Sequence, residues 1–87
     1  MTVDSRPLRA DLMCQQLPGE TLVYMPGGAM CVINETAREI WDLCDGRRTN
    51  KQVAGAFADM HPDEDREDLV GDAIEVLSLL KDAGLVL

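Results

Sequence analysis

Four features of this 87-residue chain have side chains or spacings suited to chemistry. The first is His61, the single histidine, set between Met60 and Pro62. A metal site needs a second such ligand, and general-base catalysis needs a nucleophile and an orienting group beside the ring. Neither can be named, so His61 reads as a surface residue at a helix boundary. The second is the set Cys14, Cys31 and Cys44. An odd number of cysteines without a Cys-x-x-Cys pair makes neither a disulfide framework nor a zinc site. The three read as small apolar residues. The third is the acidic run Asp63, Glu64, Asp65, Glu67 and Asp68. A calcium loop alternates oxygen ligands around a central glycine, which this run lacks, so it reads as a helix start. The fourth is Gly27-Gly28. A phosphate cradle joins a strand to a helix, whereas this pair joins two strand-like segments and reads as a turn. No catalytic residue, cofactor or metal ligand is expected, and the chain reads as a binding module rather than an enzyme.

The elements that position these residues fall in two blocks. Leu12 to Leu17, Thr21 to Met25 and Ala29 to Ile33 read as three short strands. They are joined by the turn signals Pro18-Gly19 and Pro26-Gly27-Gly28, which predicts an antiparallel meander. Three helices follow. Asn34 is a fitting cap for the first, with Ala37, Ile40, Trp41 and Cys44 on one face and Asp45-Gly46 as its stop. Thr49 and Gln52 make a capping box for the second, whose apolar face is Val53, Ala56, Phe57 and Met60. The third runs from about residue 64 to 82, capped by Asp63 or Asp65, and stops at Gly84. Its core arc is Leu69, Val70, Ala73, Ile74, Leu77 and Leu80, and Leu85-Val86-Leu87 packs back as an apolar tail. The fold class expected is α+β, a winged-helix-like domain with a three-stranded meander followed by three helices. Residues 1–10 read as a tail and 11–87 as one domain.

Composition bounds the partners. The formal charge is −8. The last 29 residues carry nine acids against Arg66 and Lys81, for a net of −7, and the remainder carries −1. Nucleic acid and anionic membrane surfaces are therefore not expected partners. No apolar run is long enough to span a bilayer, and Met1 to Pro7 lacks the apolar middle of a signal peptide, so a cytoplasmic protein is expected.

The run Val32-Ile33-Asn34-Glu35-Thr36-Ala37-Arg38-Glu39-Ile40-Trp41-Asp42-Leu43-Cys44-Asp45-Gly46-Arg47-Arg48-Thr49 resembles the signature of the PqqD family. The likeness continues through Val53-Ala54-Gly55-Ala56-Phe57 and closes on Lys81-Asp82-Ala83-Gly84-Leu85-Val86. That family comprises the small protein of pyrroloquinoline-quinone biosynthesis and the wider precursor-peptide recognition domains of ribosomally made, modified peptides. Residues 11–26 lack the basic-aromatic run that PqqD proper carries near its first strands. That departure leaves open whether the pathway makes the quinone or another modified peptide.

The resemblance implies a non-catalytic peptide chaperone. It binds the leader of a precursor peptide as an added strand and presents it to a modifying enzyme, radical-SAM or other. The implied groove lies between the third strand and third helix. Gly28, Ala29, Met30, Cys31, Val32 and Ile33 form the candidate edge, and Val76 and Leu79 the apolar wall. Asp68, Asp72 and Glu75 are candidate partners for Lys or Arg on the leader. Met30 and Val32 are alternatively core residues, and the three acids a solvated face. Trp41 reads as a core anchor. Arg47 and Arg48 either contact an enzyme or complement a helix end. A winged-helix DNA binder and a general protein-interaction module are the competing readings, and exposed edges leave a homodimer open.

Overall fold

The computed structural model describes residues 5–87. The first four residues of the expected tail lie outside this range.

Three antiparallel strands precede three helices, the order expected of the α+β class. They are β1 (Cys14–Leu17), β2 (Glu20–Tyr24) and β3 (Met30–Asn34), paired in the order β1-β2-β3. The helices are α1 (Glu35–Asp42), α2 (Asn50–Asp59) and α3 (Arg66–Asp82). In the register, Val23 of the central strand lies between Cys14 and Cys31. Side chains alternate across a strand. Thr21, Val23 and Ile33 therefore point inward and are buried, while Tyr24, Met30 and Val32 share the outer, exposed face.

The candidate edge is shorter than the sequence suggests. Gly28 belongs to a single 3-10 turn, Pro26–Gly28, in which Gly27 and Gly28 both have positive φ. Left-handed backbone of this kind suits glycine and cannot extend a strand. Ala29 is extended but lies outside the ladder, which starts at Met30. At the other end Asn34 is both the last residue of β3 and the cap of α1, its side chain accepting from the Ala37 amide at 2.8 Å. Strand passes to helix with no loop between, so the end of β3 is fixed to α1.

The α1 helix ends at Asp42, earlier than Asp45-Gly46. Long-range backbone bonds draw the chain away. The Arg9 amide donates to the Cys44 carbonyl and the Gly46 amide to the Pro7 carbonyl, each at 2.9 Å. Ser5 and Leu8 join the same seam through the amides of Asn50 and Leu87. The stretch set apart in sequence as a tail is thus hydrogen-bonded into the domain from Ser5 to Ala10. Asp45 caps the turn instead, accepting from the Arg47 and Arg48 amides at 2.9 and 3.0 Å. These donors hold its carboxyl below the usual carboxylate range.

The capping box of α2 forms as its residues predict, Thr49 with the Gln52 amide and Gln52 with the Thr49 amide. A cap of this kind stabilises a helix by about 1 kcal/mol. The buried face of α2 is Val53, Ala54, Phe57 and Ala58, whereas Ala56 is half-buried and Met60 exposed. Small side chains on the buried face let α2 pack closely on α3. Asp65 caps α3, as one of the two expected candidates. Leu69, Ala73, Leu77 and Leu80 enter the core, with Val70 and Ile74 packed at its margin. Leu85 and Val86 are buried as the packed-back tail requires, and Leu87 is exposed.

Candidate functional site

Among the described residues, sheet order leaves the outer side of β3 without a strand neighbour. An edge strand offers free N–H and C=O groups at every second residue. This edge has no Lys, Pro, Asp or Glu to discourage pairing, since β3 reads Met-Cys-Val-Ile-Asn. Beside it runs a groove of about 290 Å³. One wall is Cys31, Val32, Ile33 and Asn34 of β3, and the other is Val76, Leu79, Leu80 and Ala83 of α3. Ala37 closes the α1 end, and Leu85 adds a further apolar side chain. No charged side chain lines it.

The positions of the walls follow from the core. Leu77 and Leu80 anchor α3 from within, and Ile33 anchors β3. Leu85 is held by Trp41, whose indole N–H donates to the Leu85 carbonyl at 2.8 Å. Trp41 is fully buried, with the Arg9 guanidinium stacked 3.8 Å from its ring centroid. The expected core anchor therefore also positions a groove residue. On the helix wall, Leu79 is 61% accessible and would be covered by an incoming chain.

Of the eleven residues singled out in the sequence, the groove brings together Cys31, Val32, Ile33, Val76 and Leu79. Gly28 and Ala29 precede the ladder, and Met30 is exposed on the outer sheet face opposite Tyr24. Asp68, Asp72 and Glu75 do not line the groove. They continue its α3 wall instead. Asp72 lies four residues before Val76, Glu75 four before Leu79, and Asp68 four before Asp72, so all share one helix face. All three are exposed. The sequence reading missed Asn34, Ala37, Leu80, Ala83 and Leu85. One signal was available: 76, 79, 80 and 83 follow the i, i+3, i+4, i+7 pattern of a second apolar face.

The other chemically suggestive residues are engaged in structure. His61 is half-buried, its ring nitrogens 2.9 Å from Glu39 and 3.3 Å from Glu64, tying α1 to the segment before α3. Cys44 is buried and bonded to the Ile40 carbonyl at 3.3 Å. Burial, reinforced by Asp45 and Asp42, pushes its thiol up to about 11. A polar hollow of about 300 Å³ between the β1–β2 hairpin and α1 is lined by Glu20, Glu35, Arg38, Glu39 and Asp42, with Gln16 and Thr21. Arg38 is committed there to Asp42 and Thr21, and no group of residues able to hold a metal ion occurs among the described residues. Among the described residues, no helix is long and apolar enough to cross a membrane.

Residues 20–86 match the model of the family described as coenzyme PQQ synthesis protein D. No curated protein matches the sequence. Among solved structures, the chain is similar to TbiB1, determined in complex with the TbiA(beta) leader peptide. The TM-score is 0.69 at 16% identity, over 91% of this chain and 93% of that one. A likeness at that identity is one of fold.

Proposed function

The chain belongs to the PqqD family, and from that premise we propose that it binds the leader of a ribosomally made precursor peptide and presents it to a modifying enzyme. The observation that carries the reading is the unpaired β3 edge facing an apolar groove. An extended segment added there satisfies the edge, and every second side chain falls toward α3. The structural neighbour was solved holding a leader peptide, which supports the same use of the fold.

The residues taken to bind are Cys31, Val32 and Ile33 on the strand and Val76 and Leu79 on the helix. Met30 and its approach, Gly28 and Ala29, meet the strand where it leaves the edge. Asp68, Asp72 and Glu75 border the groove and receive Lys or Arg on the leader. Such rim pairs contribute roughly 0–1 kcal/mol each and set register and approach more than affinity. The role is that of a chaperone without chemistry of its own, in the cytoplasm. The receiving enzyme is a radical-SAM protein or another peptide modifier, in quinone synthesis or a related pathway.

The test is a titration of ¹⁵N-labelled protein with synthetic leader peptides from any short reading frames found beside its gene. Saturable amide shifts at residues 30–34 and 76–83 are expected. Absence of binding up to about 1 mM, or shifts confined to α1 and α2, refutes the reading.

A further inference from the structure

The chain carries a second surface of opposite character. Although its net charge is −8, residues 43–58 contain three cations, Arg47, Arg48 and Lys51, and one acid, Asp45. The fold adds a fourth cation to them. Arg6 donates from its guanidinium to the Arg47 carbonyl. The strap that carries it is fixed by the Ser5 carbonyl on the Asn50 amide at 2.8 Å and the Pro7 carbonyl on the Gly46 amide at 2.9 Å. The single acid is spent locally, on two backbone amides and the Arg48 guanidinium at 3.2 Å. Arg6, Arg47 and Lys51 are exposed, and among the described residues no carboxylate lies within ion-pair distance of any of them.

We propose that this corner, Arg6, Arg47, Arg48 and Lys51, docks the carboxylate-rich surface of a protein partner, the enzyme that receives the bound peptide. That the partner is this enzyme rests on the leader-binding reading; the chemistry of the corner does not. Three observations select the occupant. No residue of the corner lines the groove, so a loaded groove leaves it open. Arginine forks fit carboxylates in a bidentate manner, and the backbone seam holds two of the arginines in a set relation. The rest of the molecule is acidic, with nine acids after residue 58. An acidic surface is repelled along α3 and attracted at this corner, which fixes the approach and keeps the partner off the helix that walls the groove. A polyanion such as DNA fits less well, because its charge extends in both directions into the acids.

The experiment titrates the full labelled chain with a synthetic twenty-residue peptide of alternating Asp and Glu. Parallel arms use a single-stranded oligothymidylate of equal charge and phosphatidylglycerol vesicles. Saturable shifts at residues 45–51 and 5–9 are expected, weakening at least about threefold between low and physiological salt and leaving residues 31–34 and 76–83 unmoved. The R47E/K51E variant, whose changes lie on exposed side chains without ion-pair partners among the described residues, abolishes them while keeping the wild-type melting temperature. The proposal is overturned by absence of saturation up to about 5 mM, by shifts that persist in R47E/K51E, or by tighter binding of the oligonucleotide or the vesicles. Leader affinity, measured separately, is unchanged in R47E/K51E, so failure of the groove and failure of the corner give different results.

Discussion

Leu79→Ala separates the groove from the core on a single helix. Leu79 is 61% exposed and lines the groove, whereas Leu77, two residues earlier, is fully buried. Burying a whole leucine side chain stabilises by about 1.5–3 kcal/mol. A peptide strand that covers what remains exposed recovers about 1–2 kcal/mol at Leu79. Truncation to alanine keeps one methyl and forfeits about 1–1.5 kcal/mol, an increase of about five- to twelvefold in Kd. The change touches little of the core, so the melting temperature should stay within about 4 °C of wild type. Leu77→Ala should do the reverse to stability, costing about 2–5 kcal/mol through the cavity it leaves. The assay is fluorescence anisotropy of a labelled synthetic leader, run beside thermal denaturation of each variant. If Leu79→Ala binds as wild type does, or melts as early as Leu77→Ala, the division of α3 into a core face and a groove face is wrong.

Neutralising the acidic border with D68N/D72N/E75Q should weaken a leader bearing Lys or Arg by about three- to tenfold at low salt, and flatten the salt dependence of Kd; unchanged affinity would make these acids a solvated face. Asp45 is a carboxyl whose value is lowered in the fold by the Arg48 and Arg47 amides. Its stabilisation is therefore present above the ordinary carboxylate value of about 4 and is lost as pH falls through the lowered one. Asp45→Ala should melt earlier than wild type at pH 7, with the gap closing in acid, and a gap independent of pH would contradict the assignment. Gly46→Ala places a Cβ 3.2 Å from the Leu8 Cδ1 at a φ of +78°. It should cost about 1–2 kcal/mol, a fall of roughly 5–15 °C in melting temperature, and a neutral result would deny the seam between the strap and the turn after α1.

What could be read from sequence was what local chemistry decides. Asn34, Thr49 with Gln52, and Asp65 act on amides three residues away, so their types and spacing were sufficient. The end of α1 was not local. It is set by Pro7 and Arg9, more than thirty residues upstream, and no periodicity near Asp45 records that. The start of β3 was misplaced because Ala29 suits a strand, while pairing is decided by Tyr24 across the ladder. Half of the groove was visible as Cys31, Val32, Ile33, Val76 and Leu79. Ala37 and Ala83 were not, because small residues leave space equally well on a core face or in a groove. Ala54 and Ala58 escaped for the same reason on α2.

The two-sidedness of α3 also bears on entropy and affinity. Its groove wall is held from behind by the buried Leu69, Ala73 and Leu77, so little of it needs ordering before anything arrives. In the proposed complex, conformational ordering would fall almost wholly on the incoming peptide as it becomes a single strand. Each residue that it fixes offsets part of what the apolar wall contributes. A groove of about 290 Å³ can hold only a few side chains. On the proposed function, a moderate affinity is expected that depends on how stiff the peptide already is. A β-branched run in the bound segment would strengthen binding without adding a hydrogen bond, and a glycine would weaken it.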